Sequence, residues 1–208
     1  MKATKTALFD AAKRWEAAVV RVIVTAVPSL AKETDPKGRT ALHIACAVDP
    51  KNGKAAEKDG TKTVAALLSA GAALEAVVPM GGDEGDFRAN PLWYAASRGR
   101  NLPLVRFLLK QGADASYSLW TAVFQDDAPL CRELPKAKPR LNLVSHGETP
   151  IFSAARLRRL KTLALLIEAG ADPSIKDPKG RDAVDIARAR RLPKALIERL
   201  TALKQRLA

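Results

Sequence analysis

Two histidines and two cysteines are the side chains of this chain that could bind a transition metal. They stand at His43, Cys46, Cys131 and His146. Zinc sites are typically built from ligand pairs roughly two to four residues apart. Only His43 and Cys46 are that close, and we expect the histidine to face a loop and the cysteine to face the core. The spacing therefore predicts no metal site.

Other short motifs of catalysis and ligand binding are incomplete. Asp83-Glu84-Gly85-Asp86 is acidic, but it lacks the alternating ligands and the closing glutamate of a calcium loop. Gly81-Gly82 is not followed by the Gly-Lys-Ser/Thr of a phosphate-binding loop. No Gly-x-Ser-x-Gly segment supplies a nucleophilic serine. We therefore expect a protein without enzymatic activity, cofactor or metal ion.

The chain is strongly basic, and most of the excess lies in its second half. Among its 208 residues it has 35 Lys and Arg against 22 Asp and Glu, a net charge of +13, and residues 105–208 alone carry +9. This distribution favours anionic partners: acidic proteins, nucleic acid or a phosphate-rich surface.

No uncharged apolar run is long enough to span a membrane. Because two cysteines make no disulfide framework, we expect a reducing, cytoplasmic environment.

The sequence repeats itself along its whole length. The five residues Asp35-Pro36-Lys37-Gly38-Arg39 recur unchanged as Asp177-Pro178-Lys179-Gly180-Arg181. Similar segments begin at Thr40, Asn90, Thr149 and Asp182, and Gly-Ala pairs follow at Gly71, Gly112 and Gly170. Thr, Asn or Asp caps the start of a helix, and a left-handed glycine ends one. The pattern therefore predicts a series of paired helices.

These motifs resemble the ankyrin repeat, in which Thr-Pro-Leu-His-x-Ala-Ala opens a first helix and Gly-Ala-Asp follows a second, with a period of about 33 residues. The resemblance implies an all-α solenoid of helix–turn–helix repeats with short β-turn fingers, in about five units including the capping repeats. It implies one domain over residues 1–208. Its parts are N-terminal capping helices in 1–33, repeats in 34–76, 86–116, 117–142 (degenerate) and 143–174, and a C-terminal cap in 175–208.

The spacing of the first helices departs from regularity in two places. The step from Thr40 to Asn90 is 50 residues long. It predicts one insertion at 49–61, between two helices, and another at 79–89, which lengthens a finger. The step from Asn90 to Tyr117 is only 27 residues, so we expect the finger after Asp114 to be nearly absent. Such irregular loops often carry function.

In proteins with this repeat, partners usually contact the fingertips and the face formed by the first helices. The resemblance therefore implies a monomeric, non-catalytic module that binds an acidic or mixed protein partner, as an inhibitor, an immunity protein or an adaptor. The implied partner-binding residues are Lys37, Arg39, Tyr94, Arg98, Phe124, Gln125, His146, Arg156, Lys179, Arg181 and Arg190.

Two alternatives stay open from the sequence alone. The basic C-terminal half could bind a polyanion, either nucleic acid or anionic lipid headgroups, or the chain could be a secreted effector. The sequence contains no known nucleic-acid-binding motif. A protein partner is therefore the favoured interpretation.

Overall fold

The computed structural model describes residues 2–51, 57–79 and 88–208. These residues group into two compact units, one formed by residues up to 79 together with Arg88–Asp114 and the other by Ala115–Ala208. The acidic segment at 83–86 and parts of both predicted insertions lie outside the described residues.

The first unit consists of two layers of helices. Helices α1, α3 and α5 pack on one another in sequence, and α2, α4 and α6 form the second layer. The elements are α1 (Lys5–Lys13), α2 (Ala17–Ala26), a 3-10 helix (Pro28–Lys32), α3 (Ala41–Cys46), α4 (Glu57–Ser69), β1 (Val78–Pro79), β2 (Arg88–Ala89), α5 (Pro91–Ser97) and α6 (Leu102–Lys110). Strands β1 and β2 pair antiparallel, with Val78 opposite Ala89.

The second unit repeats this two-layer arrangement. Its first helices pack in the order α7, α9, α11, and its second helices in the order α8, α10, α12. The elements are α7 (Ser118–Gln125), α8 (Ala128–Glu133), a 3-10 helix (Leu134–Ala137), α9 (Pro150–Arg156), α10 (Leu160–Glu168), α11 (Ala183–Ala189) and α12 (Lys194–Leu207). The predicted fold class, an all-α ankyrin-repeat solenoid, is confirmed.

The predicted helix ends are also present. Asn90 and Thr149 accept hydrogen bonds from the backbone N–H groups of Trp93 and Phe152, which satisfies donors that the first turn leaves free. The three glycines predicted to end second helices have positive φ angles, 86° at Gly71, 90° at Gly112 and 83° at Gly170. The side chains at Trp93, Trp120 and Phe152 are buried, as expected of packing residues.

The insertion between α3 and α4 is shorter than the sequence predicts. Residues 57–61 were expected in this loop, but they form the first turns of α4. A β-carbon on Gly60 would lie 2.8 Å from Cε2 of Trp15, so this helical glycine leaves room for the indole ring. Trp15 in turn donates from Nε1 to the carbonyl of Ala45, 2.8 Å away. This long-range packing is invisible in a local pattern.

The finger after Asp114 is nearly absent, as predicted. Only three residues, Ala115, Ser116 and Tyr117, separate Asp114 from α7. A different regularity marks the turns after α1, α5, α7, α9 and α11, because each of these five contains a non-glycine residue with a left-handed backbone. These residues are Trp15, Arg100, Asp126, Arg158 and Arg191, with φ angles between 46° and 57°.

Candidate functional site

The first finger (residues 35–39) is a loop closed by one carboxylate. Asp35 Oδ1 accepts hydrogen bonds from the backbone N–H groups of Lys37 and Arg39, each at 2.9 Å. The Arg39 guanidinium reaches Asp35 Oδ2 at 2.7 Å. Backbone hydrogen bonds from Asp35 to Arg39 and from Gly38 to Asp35 complete the loop. The conformation is thus fixed by residues within the finger.

The last finger (residues 177–181) repeats these contacts at the same relative positions. Asp177 Oδ1 accepts from the N–H groups of Lys179 at 3.0 Å and Arg181 at 2.9 Å, and the Arg181 guanidinium pairs with Oδ2 at 2.6 Å. The hydrogen bond from Arg181 lowers the pKa of the Asp177 carboxyl below its usual range. Partial burial alone would raise the pKa of Asp35, but its hydrogen bonds from Arg39 and Lys37 lower it.

Three predicted contact residues sit at fingertips, and two more are engaged within the fingers. Lys37 and Lys179 are exposed, and so is His146, which has a φ of 51° at the tip of the loop where Ser145 pairs with Glu148. By contrast, Arg39 and Arg181 form the ion pairs that close their own fingers. The fingers therefore present lysine and histidine, with arginine held as an internal brace.

Arg156 is also engaged within the chain. Its Nε lies 2.7 Å from Glu148 Oε1, and Glu148 additionally accepts from the Ser153 hydroxyl. The sequence places Arg156 on an open face, and the structure corrects this to a half-buried side chain with a carboxylate partner. The pairing was missed because Glu148 lies in the finger and comes into reach only after α9 has folded.

The prediction that Tyr94 is open to a partner is wrong. The side chain is only 7% exposed, and its ring lies edge-on to the rings of His43 and Trp93, with centroids 5.2 Å away in each case. Burial raises the pKa of its phenol. Arg98 is exposed and lies over the Trp93 ring, 5.8 Å from its centroid, a cation–π distance. Arg98 is therefore the accessible group of this helix.

The remaining predicted residues are exposed but differ in position. Phe124 is 54% exposed near the end of α7, with its ring centroid 6.2 Å from that of Trp120, and Gln125 follows it. Arg190 is exposed on the turn after α11, at the helix end remote from the last finger. The structure thus separates Arg190 from the fingertips of its own unit. Other basic residues lie near Arg190 and Arg156, in the runs 156–161 and 188–194. Both runs are visible in the sequence, but the sequence analysis did not single them out as a binding surface.

His43 has a structural environment. Its Nδ1 accepts from the N–H of Thr40 at 3.1 Å, so Nε2 carries the proton and donates to the carbonyl of Ala76 at 2.9 Å. Burial lowers the pKa of His43 to about 4. Burial likewise raises the pKa of the Cys46 thiol, and that of Cys131 to about 12. Both cysteines are buried and free.

Among residues 2–51, 57–79 and 88–208, no group of three potential metal-ligating side chains comes together. None of the helices in these same ranges is long and apolar enough to cross a membrane.

Comparisons with known proteins agree with this architecture. A sequence model of ankyrin repeats, in three copies, matches residues 53–177. The human ankyrin repeat domain-containing protein 29 is 33% identical over 64 residues, which are 31% of this chain and 21% of that protein. The chain therefore matches about a fifth of the length of this curated relative.

Two solved structures extend the similarity over most of the chain. An ankyrin repeat domain from Acinetobacter baumannii superimposes with a TM-score of 0.73 at 23% identity, covering 94% of this chain and 96% of that one. The ankyrin repeat domain of Bcl-3, a member of the IkappaB family, gives a TM-score of 0.71 at 26% identity, covering 93% and 81% respectively. Ankyrin repeats are generally non-enzymatic protein–protein interaction modules. With a matching family model over more than half of its residues and helix pairs stacked in two layers, this chain belongs to the ankyrin repeat family.

Proposed function

We propose that this protein is a non-catalytic binding module that holds an acidic protein partner through its fingertips and the exposed residues of its first helices. The observation that carries the proposal is the pair of identical, internally braced fingers. In each, the Asp–Arg pair neutralises itself and leaves one exposed lysine, Lys37 or Lys179. Because the loops are already ordered, binding them costs less conformational entropy.

The charge of these groups favours an acidic surface on the partner. Lys37, Arg98 and Lys179 are exposed cations on elements that this family uses for binding. Cations at the rim of an interface chiefly accelerate association and select against basic partners. The net charge of +13 acts in the same direction over longer distances.

Phe124 is the best candidate for an apolar anchor. Its side chain is 54% exposed, although a large aromatic ring gains about 1.5–3 kcal/mol by full burial. Its ring centroid lies 6.2 Å from that of the buried Trp120. Aromatic side chains are prominent among interface hot spots. We therefore place Phe124 in the contact with the partner, with Gln125 beside it.

A protein that binds without chemistry acts by occupying a surface, as an inhibitor, an immunity protein or an adaptor does. The test uses the immobilised full chain to purify its partner from the native source, followed by measurement of association and dissociation rates with the purified partner. We expect Lys37→Glu, Arg98→Glu and Lys179→Glu together to slow association at least tenfold at about 0.1 M salt. Phe124→Ala is expected to raise the dissociation rate.

The matched control reverses three other exposed lysines of the first unit, Lys32, Lys62 and Lys110, to Glu. It removes the same charge without touching a finger or an exposed first-helix residue of the proposed surface. If the control slows association as strongly as the fingertip variant, the fingers are not the site. A partner that is recovered equally well by all variants would also refute the proposal.

A further inference from the structure

Two neighbouring turns of the second unit concentrate positive charge. Residues 156–161 span the end of α9, the turn after it and the start of α10, and they read Arg-Leu-Arg-Arg-Leu-Lys. Residues 188–194 span the end of α11, the turn after it and the first residue of α12, and they read Arg-Ala-Arg-Arg-Leu-Pro-Lys. We call them the basic turns. They touch one another, because the Arg158 guanidinium donates to the carbonyl of Arg190. Eight cations thus lie along one edge of this unit.

Most of these cations are not neutralised by the protein. Arg156 pairs with Glu148 and Lys194 with Glu198. Within the described ranges, the other six form no ion pair with a carboxylate, and five of the six are exposed. These six are Arg158, Arg159, Lys161, Arg188, Arg190 and Arg191. Cations gathered in this way repel one another, so the edge is electrostatically unfavourable until an anion joins it.

Several of these residues also sit where their local structure disfavours them. Arg158 and Arg191 have left-handed backbones, with φ of 57° and 52°, a conformation that is unfavourable for a non-glycine residue. Arg159 and Lys161 lie at the start of α10, where the helix dipole opposes positive charge. Favourable dipole contacts can account for cations at the ends of α9 and α11, but not for these four.

The composition of the basic turns indicates the chemical class of the ligand. They contain only Arg, Lys, Leu, Ala and Pro, so they offer neither an aromatic anchor for a protein interface nor an aromatic platform for unpaired bases. Nucleic-acid interfaces are more polar and far more positively charged than protein interfaces. Guanidinium groups suit phosphate in particular, because they donate two parallel hydrogen bonds.

We propose that the basic turns bind the phosphate backbone of a nucleic-acid duplex without reading its sequence. The basic turns are separate from the fingertips of the proposed function, whereas Phe124 and Gln125 of that proposal lie at the same end of their helix as the basic turns. The fingers precede α9 and α11, the basic turns follow them, and a helix of seven residues is about 10 Å long. The two surfaces can therefore be tested independently on the same protein.

The experiment measures fluorescence anisotropy of a labelled DNA duplex of about 20 base pairs with the full chain, between about 50 and 200 mM salt. We expect affinity to fall with a log–log slope of about −4 to −5, as four to six phosphate contacts would give. Replacing Lys161, Arg190 and Arg191 together with Gln should weaken binding at least tenfold at low salt and flatten the slope by about 2–3.

The matched control replaces Lys13, Lys32 and Lys110 with Gln, which removes the same charge from exposed positions of the first unit. It should keep nearly the full affinity and slope. Equal losses in the two variants would show that only net charge matters and would overturn the proposal. Arg191→Gly is a second test, since glycine suits the left-handed backbone there and should weaken binding without loss of thermal stability.

Two further binding measurements distinguish the backbone of a nucleic-acid duplex from other possible ligands of the basic turns. A duplex of unrelated sequence should bind within about threefold, and a preference above about tenfold would exclude pure backbone recognition. Vesicles rich in phosphatidylserine that bind while the duplex does not would assign the basic turns to a membrane surface and overturn the proposal. The double variant Lys37→Glu, Lys179→Glu should slow association with the protein partner but retain the slope with DNA, so the failure of one proposal does not imply failure of the other.

Discussion

The first and last fingers share one sequence and one conformation, although 142 positions separate Asp35 from Asp177. Gly38 and Gly180 have φ angles of 75° and 74°, and the backbone hydrogen bond that closes each loop measures 2.8 Å in both. The helices that follow are different. After the first finger, His43 stands three residues beyond the capping Thr40, and after the last finger Asp185 stands three residues beyond the capping Asp182.

The two residues also differ in the groups to which they are hydrogen-bonded. His43 is buried and reaches the carbonyl of Ala76, 33 residues onward, in the segment that leads to the next finger. Asp185 is exposed and accepts a hydrogen bond from the backbone N–H of Asp182, whose carboxylate pairs with Lys204 of α12. The comparison teaches that five residues suffice to specify a finger, whereas the helix after it differs with the segment that it contacts, the loop at Ala76 in one case and α12 in the other.

Removal of the capping helix is expected to give the largest effect. Deleting residues 192–208 takes away the buried Leu192, Leu200 and Leu203 and uncovers the face of α10. Each lost leucine contact corresponds to about 1.5–3 kcal/mol, so we expect a loss of at least about 5 kcal/mol or aggregation, measured by urea denaturation. Deleting only residues 205–208, which are exposed, should leave stability unchanged. Similar stability of both truncated proteins would show that α12 is not a cap.

His43→Ala is expected to destabilise the protein much more than Asp185→Ala. The first change leaves the Thr40 N–H and the Ala76 carbonyl without their partner and opens a cavity, at a cost of about 3–5 kcal/mol. The second removes one exposed capping contact worth about 0.5–1 kcal/mol. Chemical denaturation of both variants at neutral pH measures the difference. Equal losses would contradict the view that the histidine links one repeat to the next.

The same histidine predicts a pH dependence. Burial lowers the pKa of His43 to about 4 in the folded protein from 6.5 in the unfolded chain. Between these values the unfolded state binds the proton, so the free energy of unfolding falls as the pH drops from 7 to 4, by about 3 kcal/mol in total. Denaturation curves across that range measure the slope, and His43→Ala should flatten it. His146→Asn, which replaces the other histidine on an exposed turn, should not.

Replacing the glycine of either finger with alanine should have the smallest effect on stability, and the effect should be nearly equal in the two fingers. Gly38→Ala and Gly180→Ala each force a left-handed backbone on alanine, which costs about 1 kcal/mol. Since the two loops have the same contacts, their melting temperatures should fall by the same amount, measured by calorimetry. A clear difference between the two would show that a finger's stability depends on its neighbours as well as on its own five residues.

Much of the fold could be predicted because the signals are local. Thr149 before Pro150 identifies a helix start, Gly170 identifies a helix end, and Asp177 with Arg181 identifies a closed finger. Each of these predictions depends on residues within about five positions of one another, where backbone geometry alone determines the outcome. The short step before Tyr117 likewise predicted the missing finger from counting alone.

The predictions that failed depend on distant contacts. Tyr94 has the sequence position of an exposed groove residue, but the rings of His43 and Trp93 bury it. Arg156 resembles a free surface cation until Glu148 of the preceding finger folds back to it. Asp59 and Gly60 resemble a loop in sequence because Gly disfavours helix, and the packing of the distant Trp15 indole against Gly60 is a contact that a local pattern does not show.

Trp15 and Gly60 together have a consequence for how this sequence can vary. The indole ring occupies the volume where any other residue at position 60 would place its β-carbon. The side chains at positions 15 and 60 therefore share one limited volume, so a larger residue at one position is tolerated only with a smaller residue at the other. Related chains that carry alanine or serine at position 60 are expected to have lost the tryptophan, and a library that varies both positions should return compensating pairs.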